Sequence, residues 1–145
     1  MEIYTIGFTQ KSAAEFFGLL KRAGVRRLVD VRLNNRSQLA GFTKSRDLEF
    51  FLAEICGAEY LHRPDLSPTK EILDAYKKGD MPWEVYEPVF LDLLNERKVE
   101  ETLDRRLFGV PCVLLCSEPT AEHCHRRLVA EYLQSKWGDV EIVHL

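Results

Sequence analysis

Short apolar runs alternate with amphipathic segments along the chain. Runs rich in apolar and β-branched residues predict five strands, over residues 2–7, 26–31, 58–62, 110–115 and 140–145. Between these runs, apolar residues recur at helical spacing and predict helices over residues 12–23, 45–56 and 121–137. The long stretch that follows Ser67 is also expected to be helical, with a break near Gly79 and a kink at Pro88.

Local sequence signals predict where these helices begin. Ser12 and Glu15 have the Ser-x-x-Glu spacing of a capping box. Pro68 is expected in the first turn of its helix. Proline is tolerated there because the N–H groups of the first turn have no intrahelical acceptor. Thr120 is expected to cap the last helix.

Strands that alternate with helices predict βαβ units with right-handed crossovers. The chain is therefore expected to form one α/β domain over residues 1–145, a three-layer, Rossmann-like, mostly parallel five-stranded sheet with helices on both faces. In such sheets, ligands bind beyond the carboxyl ends of the strands. Polar and reactive residues follow the predicted strands at that edge: Gly7, Thr9, Arg32, Ser37, His62, Arg63, Cys116, Ser117 and Glu118.

Composition narrows the classes of protein that fit. The chain has 145 residues, 46% of them hydrophobic, which suits one compact domain with a real core. The net charge of -3 is spread without long single-sign blocks, so a general nucleic-acid binder is disfavoured. No apolar run is long enough to span a membrane, and no signal peptide is visible. Four cysteines, at positions 56, 112, 116 and 124, suit a reducing cytoplasm, and nothing indicates the oligomeric state.

Four stretches of the chain carry a family resemblance. They are YTIGFT, LVDVRLNNRS, LSPTKEILDAYKKGDMPWEVYEPVFLDLL and LLCSEPTAEHCHRRLVAEYL. Together they resemble the successive signatures of the Domain of Unknown Function 488 family over nearly the whole chain. The resemblance picks out the positions Gly7, Asp30, Arg32, Ser37, Cys116, Glu118, Cys124, His125 and Arg126.

The chain also departs from the family pattern. Phe8 and Thr9 stand where many members have His-Ser, which removes a candidate base or ligand. Asn34 and Asn35 replace a turn that contains proline, and the sequence LSP replaces the Leu-Gly-Gly of many members. Because the family has no assigned activity, the resemblance implies a fold rather than a reaction.

The Cys-x-Glu and Cys-His-Arg motifs carry the candidate chemistry. The catalytic candidates are Cys116 as a partly exposed nucleophile, His125 as a group that lowers its pKa, and Glu118 as a general acid or base or a clamp on loop N–H groups. The candidate substrate-binding residues are Gly7, Thr9, Arg32, Ser37, Thr120 and Arg126. Guanidinium groups and helix N-termini favour anions, so the expected ligand is an anionic small molecule or nucleotide, with nucleic acid more weakly supported.

Other interpretations stay open for the same residues. Cys124 and His125 also fit the buried stripe of the last helix, so the cluster fits a noncatalytic scaffold as well. Asp30 and Arg32 fit an internal ion pair, and Cys116 with Cys124 fits a redox pair. Three aromatic residues are expected in the core rather than on a base-stacking surface: Trp83, Tyr86 and Phe90.

No metal site and no cofactor are predicted. The cysteines lack the paired Cys-x-x-Cys spacing of many zinc sites. Neighbouring residues on a helix diverge by about 100°, so Cys124 and His125 are not expected to share one ion. The chain also lacks the glycine-rich patterns that bind dinucleotides and nucleoside triphosphates. The alternative to an anion-binding enzyme is a thiol-based redox or metal-binding protein.

Overall fold

The sheet contains five strands, and all of them run parallel. The computed structural model describes residues 1–35 and 41–145. The strands are β1 (Glu2–Gly7), β2 (Arg27–Asp30), β3 (Glu59–His62), β4 (Cys112–Cys116) and β5 (Glu141–His144), in the order β3-β2-β4-β1-β5. Every neighbouring pair is parallel, which confirms the predicted five-stranded α/β sheet.

Helices cover both faces of this sheet. They are α1 (Ala13–Arg22), α2 (Ser45–Phe51), α3 (Lys70–Lys77), α4 (Trp83–Glu96), α5 (Val99–Thr102) and α6 (His125–Trp137). A wide helical turn, Leu52–Cys56, extends α2, and Gly57 ends it in the left-handed conformation. The predicted capping box forms at α1, where the Ser12 hydroxyl accepts from the Glu15 N–H. None of the helices in the described residues is long and apolar enough to cross a membrane.

Two hydrophobic cores lie on opposite faces of the sheet. One core packs the aromatic and aliphatic residues of α4 and α6 against the sheet, with Phe90 and Leu128 fully buried. The other packs α1 and α2, with Phe16 and Leu48 fully buried. Alternate residues of β4 enter the two cores, because successive side chains of a strand point to opposite faces. Cys116 therefore faces the side covered by α4 and α6.

The start of α3 differs from the prediction. The Thr69 hydroxyl accepts a hydrogen bond from the Ile72 N–H, so Thr69 is the N-cap and the helix begins at Lys70. Pro68 precedes the cap instead of lying in the first turn. The predicted break after α3 is present, since Gly79 has a positive φ of 82° and α4 begins at Trp83.

The start of α6 was also predicted wrongly. The helix begins at His125, with Cys124 at the N-cap position in an extended conformation, so Thr120 does not cap it. Residues 117–124 form a loop, and other elements hold its main chain. The Thr9 N–H donates to the Ser117 carbonyl, and the Lys11 ammonium donates to the Pro119 carbonyl. These contacts satisfy loop carbonyls outside the helix.

Candidate functional site

A cleft opens at the carboxyl end of β4, with a cavity volume of about 120 Å³. Its walls come from the ends of β2 and β4, from α3, from the start of α4 and from the residues that enter α6. Chemically active side chains in these walls include Arg32, Tyr76, Trp83, Cys116, Glu118 and His125. Parallel strands bring their carboxyl ends to one edge, and Gly7 on β1 pairs with Cys116 on β4 there.

Cys116 and His125 contact each other in the wall of this cleft. The Cys116 Sγ atom lies 3.2 Å from His125 Nδ1. The same sulfur lies 3.6 Å from His125 Nε2, and Nε2 lies 2.6 Å from the main-chain carbonyl oxygen of Val31. Because a carbonyl oxygen can only accept, Nε2 carries a proton and donates it in this bond. In the neutral imidazole, Nδ1 is therefore free to accept the proton of the Cys116 thiol.

The two thiols of the motif are unequal. Burial raises the pKa of Cys116, but hydrogen bonds from the Cys124 thiol and the Ser117 N–H, together with the Arg126 charge, outweigh it and leave the pKa below the ordinary thiol value. Burial and the hydrogen bond to Cys116 raise the pKa of Cys124 well above that value. Cys116 is therefore the thiol that favours the thiolate form, and Cys124 is its donor.

Arg126 supplies a buried positive charge next to this pair. Its side chain is 1% exposed, and its Nη1 atom donates to the Glu118 main-chain carbonyl at 2.7 Å. Its Nε atom donates to the Thr5 hydroxyl at 3.3 Å. Both partners are neutral, and within residues 1–35 and 41–145 no carboxylate forms an ion pair with Arg126. Its charge is therefore available to stabilise a thiolate at Cys116.

Arg32 is held at the cleft by a buried ion pair with Asp30. Its Nε and Nη2 atoms donate to the two Asp30 carboxylate oxygens at 2.9 and 2.8 Å, and both side chains are almost fully buried. Tyr60 donates to the same carboxylate at 2.6 Å. The third nitrogen, Nη1, is buried and has no hydrogen-bond partner among the residues that the structure describes. This arrangement fixes the guanidinium and leaves one donor for another acceptor.

Aromatic rings form one wall of the cleft. Trp83 stacks on the His123 ring with centroids 4.9 Å apart, and Tyr86 stacks on Trp83 at 5.2 Å. Tyr86 and Phe90 are buried, as predicted for core residues, whereas Trp83 is only half-buried and lines the cleft. Burial raises the pKa of Tyr86, so its hydroxyl stays protonated. This wall therefore gives a planar ligand a surface for stacking near the Cys116 thiol.

The structure brings four of the predicted site residues into this one cleft: Arg32, Cys116, Glu118 and His125. The Glu118 side chain is exposed at the cleft, and its main-chain carbonyl holds Arg126. Cys116 was expected to be partly exposed but is 4% exposed, because β4 is the central strand and both of its faces are covered. Access to its sulfur is through the cleft.

Four other predicted binding residues lie outside the cleft lining: Gly7, Thr9, Thr120 and Arg126. Arg126 is buried behind the loop, and Gly7 lets the Glu118 carbonyl approach β1 closely. Thr9 is exposed and contacts the loop through its main-chain N–H. Thr120 is exposed and lies outside the helix that it was expected to cap. Ser37 falls outside the described residues.

One argument against a metal site was wrong. Cys124 is not on the helix, since its φ of -136° and ψ of 137° are extended, so its side chain does not diverge from His125 as helical neighbours do. The Cys116 and Cys124 sulfurs and a His125 nitrogen all lie within 4.8 Å of one another.

Sequence reasoning missed several residues of the cleft. Tyr76 and Lys77 on α3 both line it. The hydrophobic pattern could have indicated Tyr76, since it lies on the same helical face as Leu73. The role of the Val31 carbonyl has no signal in the side-chain sequence.

Comparisons with known proteins identify a family without an activity. No curated protein and no solved structure matches the chain. The family model described as "Domain of unknown function DUF488" matches residues 12–133. That range includes the Asp30–Arg32 pair and the Cys116, Cys124 and His125 cluster. The chain therefore belongs to the family of proteins that contain the domain of unknown function DUF488.

Proposed function

We propose that this protein is a small enzyme in which the Cys116 thiolate attacks an anionic small molecule, a phosphoester such as a nucleotide. The observation that carries the proposal is the 3.2 Å contact between Cys116 Sγ and His125 Nδ1 in the wall of a cleft. A thiol beside a base that a third group orients is the usual arrangement of an activated nucleophile. Here the Val31 carbonyl orients the base.

The reaction uses the residues of the cleft in two steps. In the first step, Cys116 Sγ forms a bond to phosphorus while the bond to the leaving oxygen breaks. The electron pair goes to that oxygen, which takes the proton that His125 Nδ1 accepted from the thiol. In the second step, water gives a proton to His125 and its oxygen displaces the sulfur. The sulfur recovers its electron pair, and the phosphate product is released.

Arg32 supports an anionic substrate. Asp30 holds two of its guanidinium nitrogens, so the group is positioned before a ligand arrives. The buried Nη1 atom, without a partner among the described residues, can donate to a substrate oxygen. The half-buried Trp83 ring, stacked on His123, adds a planar surface for a base or another ring. These two features favour a nucleotide over a neutral substrate.

A reducing compartment such as the cytoplasm suits this reaction, because Cys116 acts as a free thiol. All four cysteines are free in the structure. A noncatalytic module that binds an anion at Arg32 is the second candidate, and the same unpartnered Nη1 atom favours it. The two candidates differ in the reactivity that they require of Cys116.

Cys116 is expected to react with iodoacetamide at a lower pH than an ordinary thiol. Only the thiolate attacks, so a lowered pKa moves the midpoint of the reaction below about pH 8.5. Cys112 is an internal reference, because burial raises its pKa to about 12. Mass spectrometry of the labelled peptides at a series of pH values, with a chelator present, measures both thiols in one sample.

The Cys124→Ala variant sharpens this measurement. It removes the thiol that donates to Cys116, so the midpoint for Cys116 is expected to move to higher pH. Cys112→Ala is the matched control and should leave the midpoint unchanged, since Cys112 lies at the far end of β4. A Cys116 that reacts only above about pH 8.5 in the folded wild-type protein contradicts the proposed enzyme.

Inorganic phosphate is expected to slow the labelling of Cys116 if Arg32 binds anions. The Arg32→Lys variant keeps a positive charge for Asp30 but loses the forked donors, so phosphate should protect its Cys116 much less. Arg63→Lys is the control, because Arg63 forms a comparable pair with Asp65 away from the cleft lining. Equal protection in all three proteins would remove Arg32 from the anion site.

A further inference from the structure

We infer that Cys116, Cys124 and His125 form a site for one thiophilic divalent metal ion of the zinc class, and that the bound ion blocks Cys116. The two sulfurs and an imidazole nitrogen lie within 4.8 Å of one another, and all three side chains are buried. Thiolate and imidazole groups are the preferred ligands of zinc. The inference rests on this geometry and does not need the proposed reaction.

The spacing of the ligand atoms suits a shared ion. Zinc lies about 2.3 Å from sulfur and about 2.0–2.1 Å from nitrogen, so tetrahedral ligand atoms lie within 4 Å or so of each other. Cys116 Sγ lies 3.2 Å from His125 Nδ1 and 3.6 Å from His125 Nε2, so a shift of the sulfur or of the ring admits an ion at Nδ1. The backbone at Cys124 is extended, and its sulfur lies within 4.8 Å of the other two ligand atoms.

His125 already has the outer contact that metal-bound histidines make. Its Nε2 atom donates to the Val31 carbonyl at 2.6 Å, which orients the ring and leaves Nδ1, 3.2 Å from Cys116 Sγ, as the nitrogen that can bind an ion. Such a hydrogen bond from the second ring nitrogen orients the ligand and raises its basicity. The edge of the Phe90 ring packs against the imidazole, with centroids 5.6 Å apart, and further limits its movement.

Three protein ligands leave a fourth position open toward the cleft, since all three residues line it. Water or a ligand oxygen can complete the tetrahedron there. An ion bound to Cys116 Sγ uses the electron pair that the nucleophile needs. In the proposed enzyme, metal occupancy is therefore an off state, a role that rests on the proposed function, and removal of the ion restores the free thiol.

Titration of the reduced protein with Zn²⁺ and with Co²⁺ tests the site directly. We expect one ion per chain, and with Co²⁺ a thiolate-to-metal charge-transfer band. Cys124→Ser and His125→Gln each remove a ligand, so each is expected to weaken binding by more than the roughly 10–100-fold that loss of an outer contact costs. Cys112→Ser and Cys56→Ser are matched controls that should keep full affinity, because both cysteines lie outside the cluster.

Further measurements distinguish a variant that has lost a metal ligand from one that does not fold. Circular dichroism of the metal-free variants checks that each one is folded. Zn²⁺ should raise the unfolding temperature of the wild-type protein and of Cys112→Ser but not of Cys124→Ser. Zn²⁺ should also protect Cys116 of the wild-type protein from iodoacetamide.

Two results would each overturn the metal site. One is the absence of a charge-transfer band when Co²⁺ is added to the folded wild-type protein. The other is an unchanged affinity of folded Cys124→Ser for the metal ion. If Cys116 still reacts near neutral pH in a protein that binds no ion, the metal site fails and the proposed thiol reaction stands. If the ion binds but the metal-free Cys116 is unreactive, the reaction fails and the metal site stands.

Discussion

Replacing Asp30 with asparagine is expected to lower the free energy of unfolding by about 3–5 kcal/mol. Arg32 is 2% exposed, and its two donors to Asp30 would face a neutral side chain. The amide of asparagine also brings an N–H group against the donors of Arg32 or Tyr60, which now both point at carboxylate oxygens. A buried guanidinium without its carboxylate is costly because water cannot reach it.

Chemical denaturation of the wild-type and Asp30→Asn proteins measures this loss, and Asp65→Asn is the matched control. Asp65 accepts the same two-pronged hydrogen bond from Arg63, but its side chain is 37% exposed. Solvent screens that pair, so the control should lose about 1 kcal/mol or less. Equal losses in the two variants would show that burial does not set the strength of the Asp30–Arg32 pair. Phosphate protection of Cys116 should also weaken in Asp30→Asn, since Arg32 loses its anchor.

The sheet could be predicted from the sequence because its signals are local. Five apolar runs separated by helical patterns leave little choice other than a parallel α/β sheet, and the structure confirms it. The strand bounds moved by one or two residues, as for β4, which begins at Cys112 instead of residue 110. The capping box at Ser12 was predictable for the same reason, since both of its partners lie within four residues.

The start of α6 could not be predicted from local signals. Thr120 has good capping chemistry, but the Ser117 and Pro119 carbonyls of the loop are held by residues near the start of the chain. Lys11 reaches the Pro119 carbonyl across 108 positions in sequence, and such bonds have no local signature. The four-residue shift moved Cys124 off the helix and changed the geometry of the whole cluster.

The pairing of Asp30 with Arg32 could be proposed from their spacing in the sequence. That Arg32 also keeps one nitrogen available for an anion could not. Residues two apart on a strand point to the same face, which predicts an ion pair. Whether one nitrogen of Arg32 stays without a partner depends on how β2, β3 and the turn at Thr43 meet, and the Thr43 carbonyl takes a hydrogen bond from Nη2. Tertiary packing decides that outcome.

Replacing Gly7 with alanine is expected to lower the free energy of unfolding by about 3 kcal/mol or more, in spite of ordinary backbone angles. A Cβ atom at this position would overlap the carbonyl oxygen of Glu118 and would lie 2.7 Å from Arg126 Nη1. The carbonyl is a main-chain atom that Arg126 holds from the other side, so the loop cannot yield without losing that hydrogen bond. The substitution is therefore expected both to lower stability and to displace the Arg126 charge that supports the Cys116 thiolate.

Gly18→Ala is the control for the loss of a glycine. At Gly18 a Cβ atom meets only the flexible end of the Arg22 side chain, at 3.1 Å, and alanine favours the helix by about 0.5–1 kcal/mol. Denaturant unfolding should therefore show a small gain for Gly18→Ala and a large loss for Gly7→Ala. In Gly7→Ala that remains folded, the labelling midpoint of Cys116 should rise, because Arg126 must move away from the thiol. A Gly7→Ala protein with wild-type stability and an unchanged midpoint would mean that the loop does not rest on β1 as described.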